Sequence, residues 1–430
     1  MSRSRLQKVC RIGCPLNFGV WVGLSAILCF FALHGAAPFA QAADETPIKI
    51  GIIAPIAGDR AQIGGDIEAG FKVLMEEIKY TVAGRKIQLI VEDEGTPTTA
   101  TTKARKLITH DKVDVMAGLF NSSSAYAVAP LAKEANVPLI ITASAGDDST
   151  QRKATANQIR VNACGSQAGH TAGQYAYEQL KWRRVAIIGW EHAFGQETMG
   201  AFQKVFEDAG GKVVQRTYTP RNTMDFSPYV ANLKRDVDGI FAVVTGPPNI
   251  RFLSALRARG LMNTLKVLTV LSATDESFLQ EMGAAGDGVL SVNSYSVALN
   301  TPENAAFLAM AKKHTNREIS GVMMDAFIGA EWIVKAIEAV KGDVKDKNKF
   351  IQALRAVEIT DAPHGKLKMD AYGQATQNMF IRKVENVKGR WQNTVIFTYP
   401  NVSQFGKYDP AVYLKAPTYG PDYPKCTYCE

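Results

Sequence analysis

The chain has no GxxxxGK[ST] phosphate loop, no GxGxxG dinucleotide fingerprint and no GxSxG nucleophile elbow. Histidine is scarce: beyond the first 42 residues only His110, His170, His192, His314 and His364 occur, and no two have metal-ligand spacing on one helix. Acid pairs such as Glu76-Glu77 and Asp147-Asp148 are adjacent in sequence, which suits solvated faces and loops better than an acid–base dyad. These absences argue against an enzyme, and the hydrolase that remains conceivable would have to use Ser122 and His192. No metal or cofactor is expected. Long apolar runs are also missing apart from one near the start, which excludes a multi-span membrane protein. Of 49 basic residues, four lie in residues 1–42, leaving 45 against 41 acids in the rest. A near-balanced surface of that kind carries no electrostatic footprint for nucleic acid. At 430 residues, 46% hydrophobic, the chain is long enough for two or three domains with real cores.

Residues 1–42 read as an export signal. Arg3, Arg5, Lys8 and Arg11 precede an uncharged stretch from Leu16 to Leu33, and Ala40-Gln41-Ala42 fits the small-x-small cleavage pattern, so the mature chain starts near Ala43. The alternative, an uncleaved anchor, is weakened by Gly19, Gly23 and Ser25 within the run. Three of six cysteines leave with this leader. Of those that stay, Cys426 and Cys429 are the closest pair and the disulfide candidate in an oxidising compartment, able to tie off only the tail. Cys164 reads as a buried apolar filler.

Short, continuously apolar runs alternate with helical periodicity. Strands are expected at 48–54, 86–92, 113–119 and 137–142, with helices at 66–79, 96–110 and 125–135 between them. The pattern restarts with a helix at 167–180, strands at 184–189, 212–218, 239–244 and 266–270, and a helix at 196–208. This predicts an α/β fold of two Rossmann-like lobes, each a mostly parallel sheet with helices on both faces, dividing near Arg160 to Gly165. Later helices (302–314, 322–340, 347–357) and strands (378–384, 392–398) must dock on sheets already built, so the chain crosses between lobes more than once. The Pro- and Tyr-rich tail from Tyr399 is expected to wrap the body in an ordered way.

Polar residues cluster at the carboxyl ends of these strands: Phe120-Asn121-Ser122-Ser123-Ser124, Ser144-Ala145-Gly146, Trp190-Glu191-His192-Ala193-Phe194 and Thr245-Gly246. In open α/β sheets the ligand crevice lies outside such ends, and a helix N-terminus rimmed with hydroxyls suits a carboxylate. The plain alternatives are N-capping by any of Asn121 to Ser124 and ordinary packing of Trp190 and Phe194.

With Ile48-Lys49-Ile50-Gly51, Ala61-Gln62-Ile63-Gly64, Gly118 to Ser124, Val137-Pro138, Phe194-Gly195, Asp225-Phe226-Ser227 and Gly365, in that order behind an export leader, the chain resembles the periplasmic solute-binding proteins of the branched-chain amino acid family. The resemblance implies the type I periplasmic binding fold, two lobes joined by a three-crossing hinge and closing on a ligand that is passed to the membrane permease of an ABC importer. It implies lobe 1 as residues 43–162 plus 295–383, lobe 2 as 163–294 plus 384–400, and 401–430 as tail. Carried over by position, carboxylate binding falls on Asn121, Ser122, Ser144 and Gly146, and the second-lobe aromatic wall falls near Phe194. Ile63, Ala145, Trp190, His192, Thr245 and Leu271 complete the candidate site. Leu271 stands where an amino-acid binder carries the acid that holds the ammonium, and burying an ammonium without a counter-charge is expensive; Asp275 and Glu276 lie close enough to supply that acid if the alignment is shifted. The tail motifs Phe397-Thr398-Tyr399-Pro400, Tyr408-Asp409-Pro410 and Tyr423-Pro424 look like the subgroup that carries aromatic acids. The reading is therefore a monomeric periplasmic protein that captures a small carboxylate, an aromatic acid in preference to a branched-chain amino acid. A receptor module acting on a membrane partner is the second alternative.

Overall fold

The computed structural model describes residues 46–429, so the leader reading lies outside the described residues. Among the described residues no helix is long and apolar enough to cross a membrane. The first half runs β1 (Ile48–Ala54), α1 (Ala61–Glu77), β2 (Thr81–Val82), β3 (Arg85–Asp93), α2 (Pro97–Lys106), β4 (Val115–Gly118), α3 (Ser122–Glu134), β5 (Leu139–Ile141) and β6 (Gln158–Arg160). These strands form one six-stranded sheet, order β2-β3-β1-β4-β5-β6, parallel except for the short hairpin partner β2. Its strands are buried along almost their whole length because helices cover both faces. Leu107, Val128 and Leu139 fill one side, and Ile50, Ile52 and Phe71 the other. β6 is a strand where the sequence pattern offers only a connection; three residues are too few for periodicity to register.

The chain then builds α4 (Gly165–Glu178), β7 (Arg184–Trp190), α5 (Ala193–Asp208), β8 (Lys212–Thr219), α6 (Ser227–Ala231), β9 (Gly239–Val243), α7 (Pro248–Ala258), β10 (Lys266–Val270), α8 (Glu276–Met282) and β11 (Leu290–Asn293). It returns to the first lobe with α9 (Pro302–His314), α10 (Gly321–Ala339) and α11 (Lys347–Ala356), whose Phe307, Phe327, Trp332 and Phe350 pack onto Ile50 and Phe71. It finishes with β12 (Glu358–Ile359), β13 (Leu367–Met369), the long antiparallel pair β14 (Ala375–Val387) and β15 (Arg390–Val402), and α12 (Pro410–Tyr413). In the second sheet β11-β10-β9-β7-β8 are parallel and β14 is added antiparallel to β11. Phe202 stacks on Phe241 at 4.0 Å in its core.

Three segments pass between the lobes. Val161 belongs to the first core and Ala163 to the second; Val292 belongs to the second and Tyr295 to the first. The last passage lies inside β14, with Ala375 in the first core and Met379 and Ile381 in the second, and Phe380 to Lys383 already paired with β11. The resemblance puts this boundary at residue 383, within the same strand. Two fully buried arginines tie the passages together. Arg160 donates to the Gln374 side chain (2.5 Å), Thr150 Oγ1 (2.6 Å) and the Gly146 carbonyl. Arg382 donates to the carbonyls of Tyr295 (2.7 Å) and Leu271 (3.3 Å) and to Ser291 Oγ (3.1 Å) and Thr274 Oγ1 (3.1 Å).

The tail packs Phe405, Tyr413 and Tyr419 against Ala201 of α5, and Cys426 and Cys429 are bonded to each other. Arg152 fastens the tail by donating to the carbonyls of Tyr413 (3.1 Å) and Ala416 (2.8 Å). Buried Cys164 is the N-cap of α4, its sulfur accepting the Gln167 amide. His170 sits edge-on to Tyr408, Tyr413 and Tyr419 at 5.5–6.2 Å. Burial, helped by Lys204 and Lys407, pulls its imidazole down to about 3, against an unfolded value near 6.5. A base whose folded pKa is lowered contributes stability that is complete above pH 6.5 and lost as pH falls toward 3, since the unfolded state binds the proton first. His170→Phe, which keeps the ring and removes the titration, is expected to flatten the fall in melting temperature between pH 6.5 and pH 4; an unchanged slope would show that the ring is solvated.

Candidate functional site

The parallel strands of both lobes end at one cleft. In the first lobe β4 ends at Gly118, and Leu119 takes φ +64 to turn the chain into Phe120 and Asn121 ahead of α3; in the second, β10 ends at Val270 and Leu271 takes φ +50. A left-handed leucine costs on the order of 1 kcal/mol and persists where surrounding contacts dictate the backbone. Those contacts are identifiable. Glu94, 1% exposed at the end of β3, accepts the amides of Phe120 (2.9 Å) and Asn121 (2.8 Å), while burial still pushes its carboxyl up. The Leu271 carbonyl accepts from Asn293 (3.3 Å) and Arg382. Asn121 caps α3 by accepting the Ser123 amide.

Between these ends lies a cavity of about 620 Å³, including its part open to solvent. Asn121, Ser122, Ala145, His192, Phe194, Thr245 and Leu271 line it. Four other residues that the sequence suggests do not line it, and each stands one layer behind. Ser144 donates to Ser122 Oγ (3.3 Å), and Gly146 packs under the Tyr126 hydroxyl and gives its carbonyl to Arg160. Trp190 is fully buried, its indole N–H donating to Thr245 Oγ1 (3.4 Å). Ile63 reaches toward the second-lobe Gly246, where an added Cβ would lie 3.9 Å from its Cδ1. Trp190, His192 and Phe194 form a stack with successive centroids 6.4 Å apart. Burial, then Arg221 and Arg60, pull the His192 imidazole down to about 3, so this stack is neutral at physiological pH. Ser122 and His192 share the cavity without a hydrogen bond between them; the Ser122 hydroxyl is engaged by Ser144.

The arginines of the lining were not legible in the sequence. Arg60 lies in the 3₁₀ turn before α1, its guanidinium 5.4 Å from the Phe120 ring centroid, and Arg221 lies in the loop after β8. Burial, then the Arg221 charge, bring Arg60 down to about 10, and burial lowers Arg221 as well, so both remain cationic at neutral pH. Asp275 and Asp325 also line the cavity. Leu271 itself brings no acid into the cavity lining; Asp275, four residues on, does. Asp325 did carry a signal, being the lone charge in the apolar run Gly321 to Ala330. Contacts across the cleft include Tyr126 Oη to Glu197 (2.8 and 3.0 Å) and the Gln62 side-chain amide to the Ser277 carbonyl.

Residues 47–390 match the family described as periplasmic binding protein. The chain belongs to that family. A solute-binding protein of an ABC transporter from Rhodopseudomonas palustris HaA2, solved in complex with p-hydroxybenzoic acid, is 32% identical, with 84% of this chain and 99% of that one covered at a TM-score of 0.80. Another from R. palustris, in complex with 4-hydroxybenzoate, is 31% identical over 83% of this chain and 98% of that one, TM-score 0.79. The Leu/Ile/Val-binding protein homolog 6 of Brucella melitensis is 28% identical over 381 residues, 86% of this chain and 95% of that protein. The expected type I fold and solute-binding role of this periplasmic binding protein therefore hold. In that frame the cleft between the strand ends is the position from which both lobes can touch one ligand.

Proposed function

We propose that this periplasmic binding protein, exported by a leader cleaved after Ala42, captures a small aromatic carboxylate between its lobes and delivers it to the permease of an ABC importer. One observation carries the reading: two guanidiniums, Arg60 and Arg221, share a cavity with the Phe120 ring and the His192–Phe194 stack. The Asn121 and Ser122 side chains at the start of α3 give the carboxylate neutral donors beside the cations. Ala145, Thr245 and Leu271 shape the ring's walls, with Ser144, Gly146, Trp190 and Ile63 supporting them from behind. Relatives about 30% identical hold hydroxybenzoates, which fits the same chemistry. The reading involves no covalent step: ligand binding shifts an open–closed equilibrium, and the three passages, two of them pinned by Arg160 and Arg382, absorb the rotation.

A second reading, a branched-chain amino acid as ligand, is favoured by Asp275 and Asp325, which could face an ammonium. Thermal shift separates the two. Ligand at a hundred times its dissociation constant adds about 2.7 kcal/mol of stability. We expect benzoate-class acids to raise the melting temperature and leucine, isoleucine and valine not to, with every ligand recovered unchanged. Stabilisation by the amino acids alone would overturn the aromatic reading, and product formation would overturn the binding role.

A further inference from the structure

Residues 403–429 follow β15 and lie beyond residue 390, where the family match ends. They touch the two lobes in alternation. Gln404 donates to the Asp370 carboxylate (2.7 Å) and the Thr150 carbonyl (3.1 Å), and Phe405 meets Tyr372 edge-on at 5.1 Å. Asp370 and Tyr372 lie in the first lobe, between Met369 and Ala375 of its core. Tyr408 then donates to Asp208 at the end of α5 (2.7 Å), in the second lobe. Arg152, in the connection from β5 to β6, donates to the carbonyls of Tyr413 (3.1 Å), Ala416 (2.8 Å) and Pro417 (3.2 Å), and Thr418 donates to Asp148 (2.9 Å). Past Tyr419 the chain is back on the second lobe: Gln203 of α5 donates to the Lys425 carbonyl (3.1 Å) and Arg216 of β8 to that of Pro424 (2.8 Å).

The two grips differ in kind. On the second lobe Tyr413 and Tyr419 pack on Ala201 and edge-on to His170, and a Cβ added at Gly200 would lie 2.6 Å from that of Tyr419. Pulling this surface apart would expose close-packed aromatic area. On the first lobe the grip consists mainly of hydrogen bonds from an Arg152 side chain 21% exposed, which water can replace. Arg152 is aimed at the tail by Asp148, 3.3 Å away, and its own segment is fixed to the first lobe: Gln158 of β6 donates to the Ser149 carbonyl (2.5 Å), and the Asp148 amide donates to Tyr126 of α3 (3.1 Å). The segment also meets the second lobe, where Asp147 accepts the Ser166 amide (2.7 Å), so Arg152 stands beside the first passage between the lobes. It does not line the cavity.

We propose that residues 403–429 are a strap across the hinge. The strap travels with the second lobe, and its grip on Arg152 has to be released before the cleft opens. It thereby favours the closed form, in which Tyr126 bonds Glu197 and Gln62 bonds Ser277 across the cleft. Three covalent passages allow the rotation; this fourth, breakable connection sets its balance. The proposal rests on the lobe-closing part of the function given above and not on the identity of the ligand. Because apparent affinity scales with the population of the binding form, a residue outside the cavity tunes capture.

Small-angle scattering and calorimetry on the protein and on Arg152→Ala and Arg152→Lys test this. Unliganded Arg152→Ala is expected to have a larger radius of gyration than the unliganded unaltered protein, and to bind 4-hydroxybenzoate at least about fivefold more weakly. Arg152→Lys, which keeps the charge but not the fork of donors, should fall between the two. A cooperative melting transition separates opening from unfolding; if Arg152→Ala loses it, Arg152→Lys decides. Equal radii of gyration in the unliganded proteins, or a wider variant that binds 4-hydroxybenzoate as tightly as the unaltered protein, overturns the strap and leaves the aromatic reading intact. A wider variant, with no binding of 4-hydroxybenzoate to any of the three proteins, supports the strap and overturns the aromatic reading.

Discussion

Arg382→Met is expected to lower the unfolding free energy measured in urea by about 3–5 kcal/mol, the range for removing one partner of a buried ion pair. The guanidinium is fully buried, contacts four hydrogen-bonding partners from three segments, and is the cation nearest Glu276, itself buried. Burial already holds Glu276 above the usual carboxylate range even with Arg382 present. Methionine fills much of the stem's volume, so the loss reports the charge and its bonds rather than a cavity. Adding Glu276→Gln should recover part of it, because the orphaned charge is then gone. A loss below about 1 kcal/mol, the value of an exposed pair, would mean that water reaches this site.

The second large effect concerns the ligand. Arg60→Gln combined with Arg221→Gln should weaken aromatic-acid binding by about a hundredfold, or roughly 2.7 kcal/mol. The unliganded protein should melt no lower than before. Burial destabilises both guanidiniums and the Arg221 charge adds to this at Arg60, with Asp59 and Glu94 opposing it only in part, so removing them costs the empty protein little. A variant that melts normally and still binds within threefold would place the carboxylate elsewhere, at the α3 N-terminus alone.

How much of this was readable in the sequence divides along physical lines. The parallel sheets were legible because a strand buried on both faces must be continuously apolar, as Ile48–Ala54 and Arg184–Trp190 nearly are. Strand ends carrying Asn121, Ser122, His192, Phe194 and Thr245 were legible because topology alone puts ligands there. Depth was not. Ser144 and Trp190 lie one layer behind residues that look equivalent to them in sequence, and only the packed backbone distinguishes a lining side chain from its support. The arginines were hidden for another reason: Arg60 and Arg221 sit in turns, where a basic residue is ordinarily solvated, and become site residues only when two lobes meet.

The interlacing of the two lobes also bears on how the molecule comes into being. The first core is closed by Phe327, Trp332 and Phe350, separated from Ile50 and Phe71 by the entire second lobe, and the second sheet gains its edge pair only with β14 and β15. Loop closures of that length must precede the contacts that reward them, which makes such folds slow. A chain emerging from its N-terminus therefore exposes the apolar face of α1 until more than three-quarters of the protein has appeared. A fragment ending before Ala375 therefore leaves both cores unfinished and their apolar faces open to aggregation.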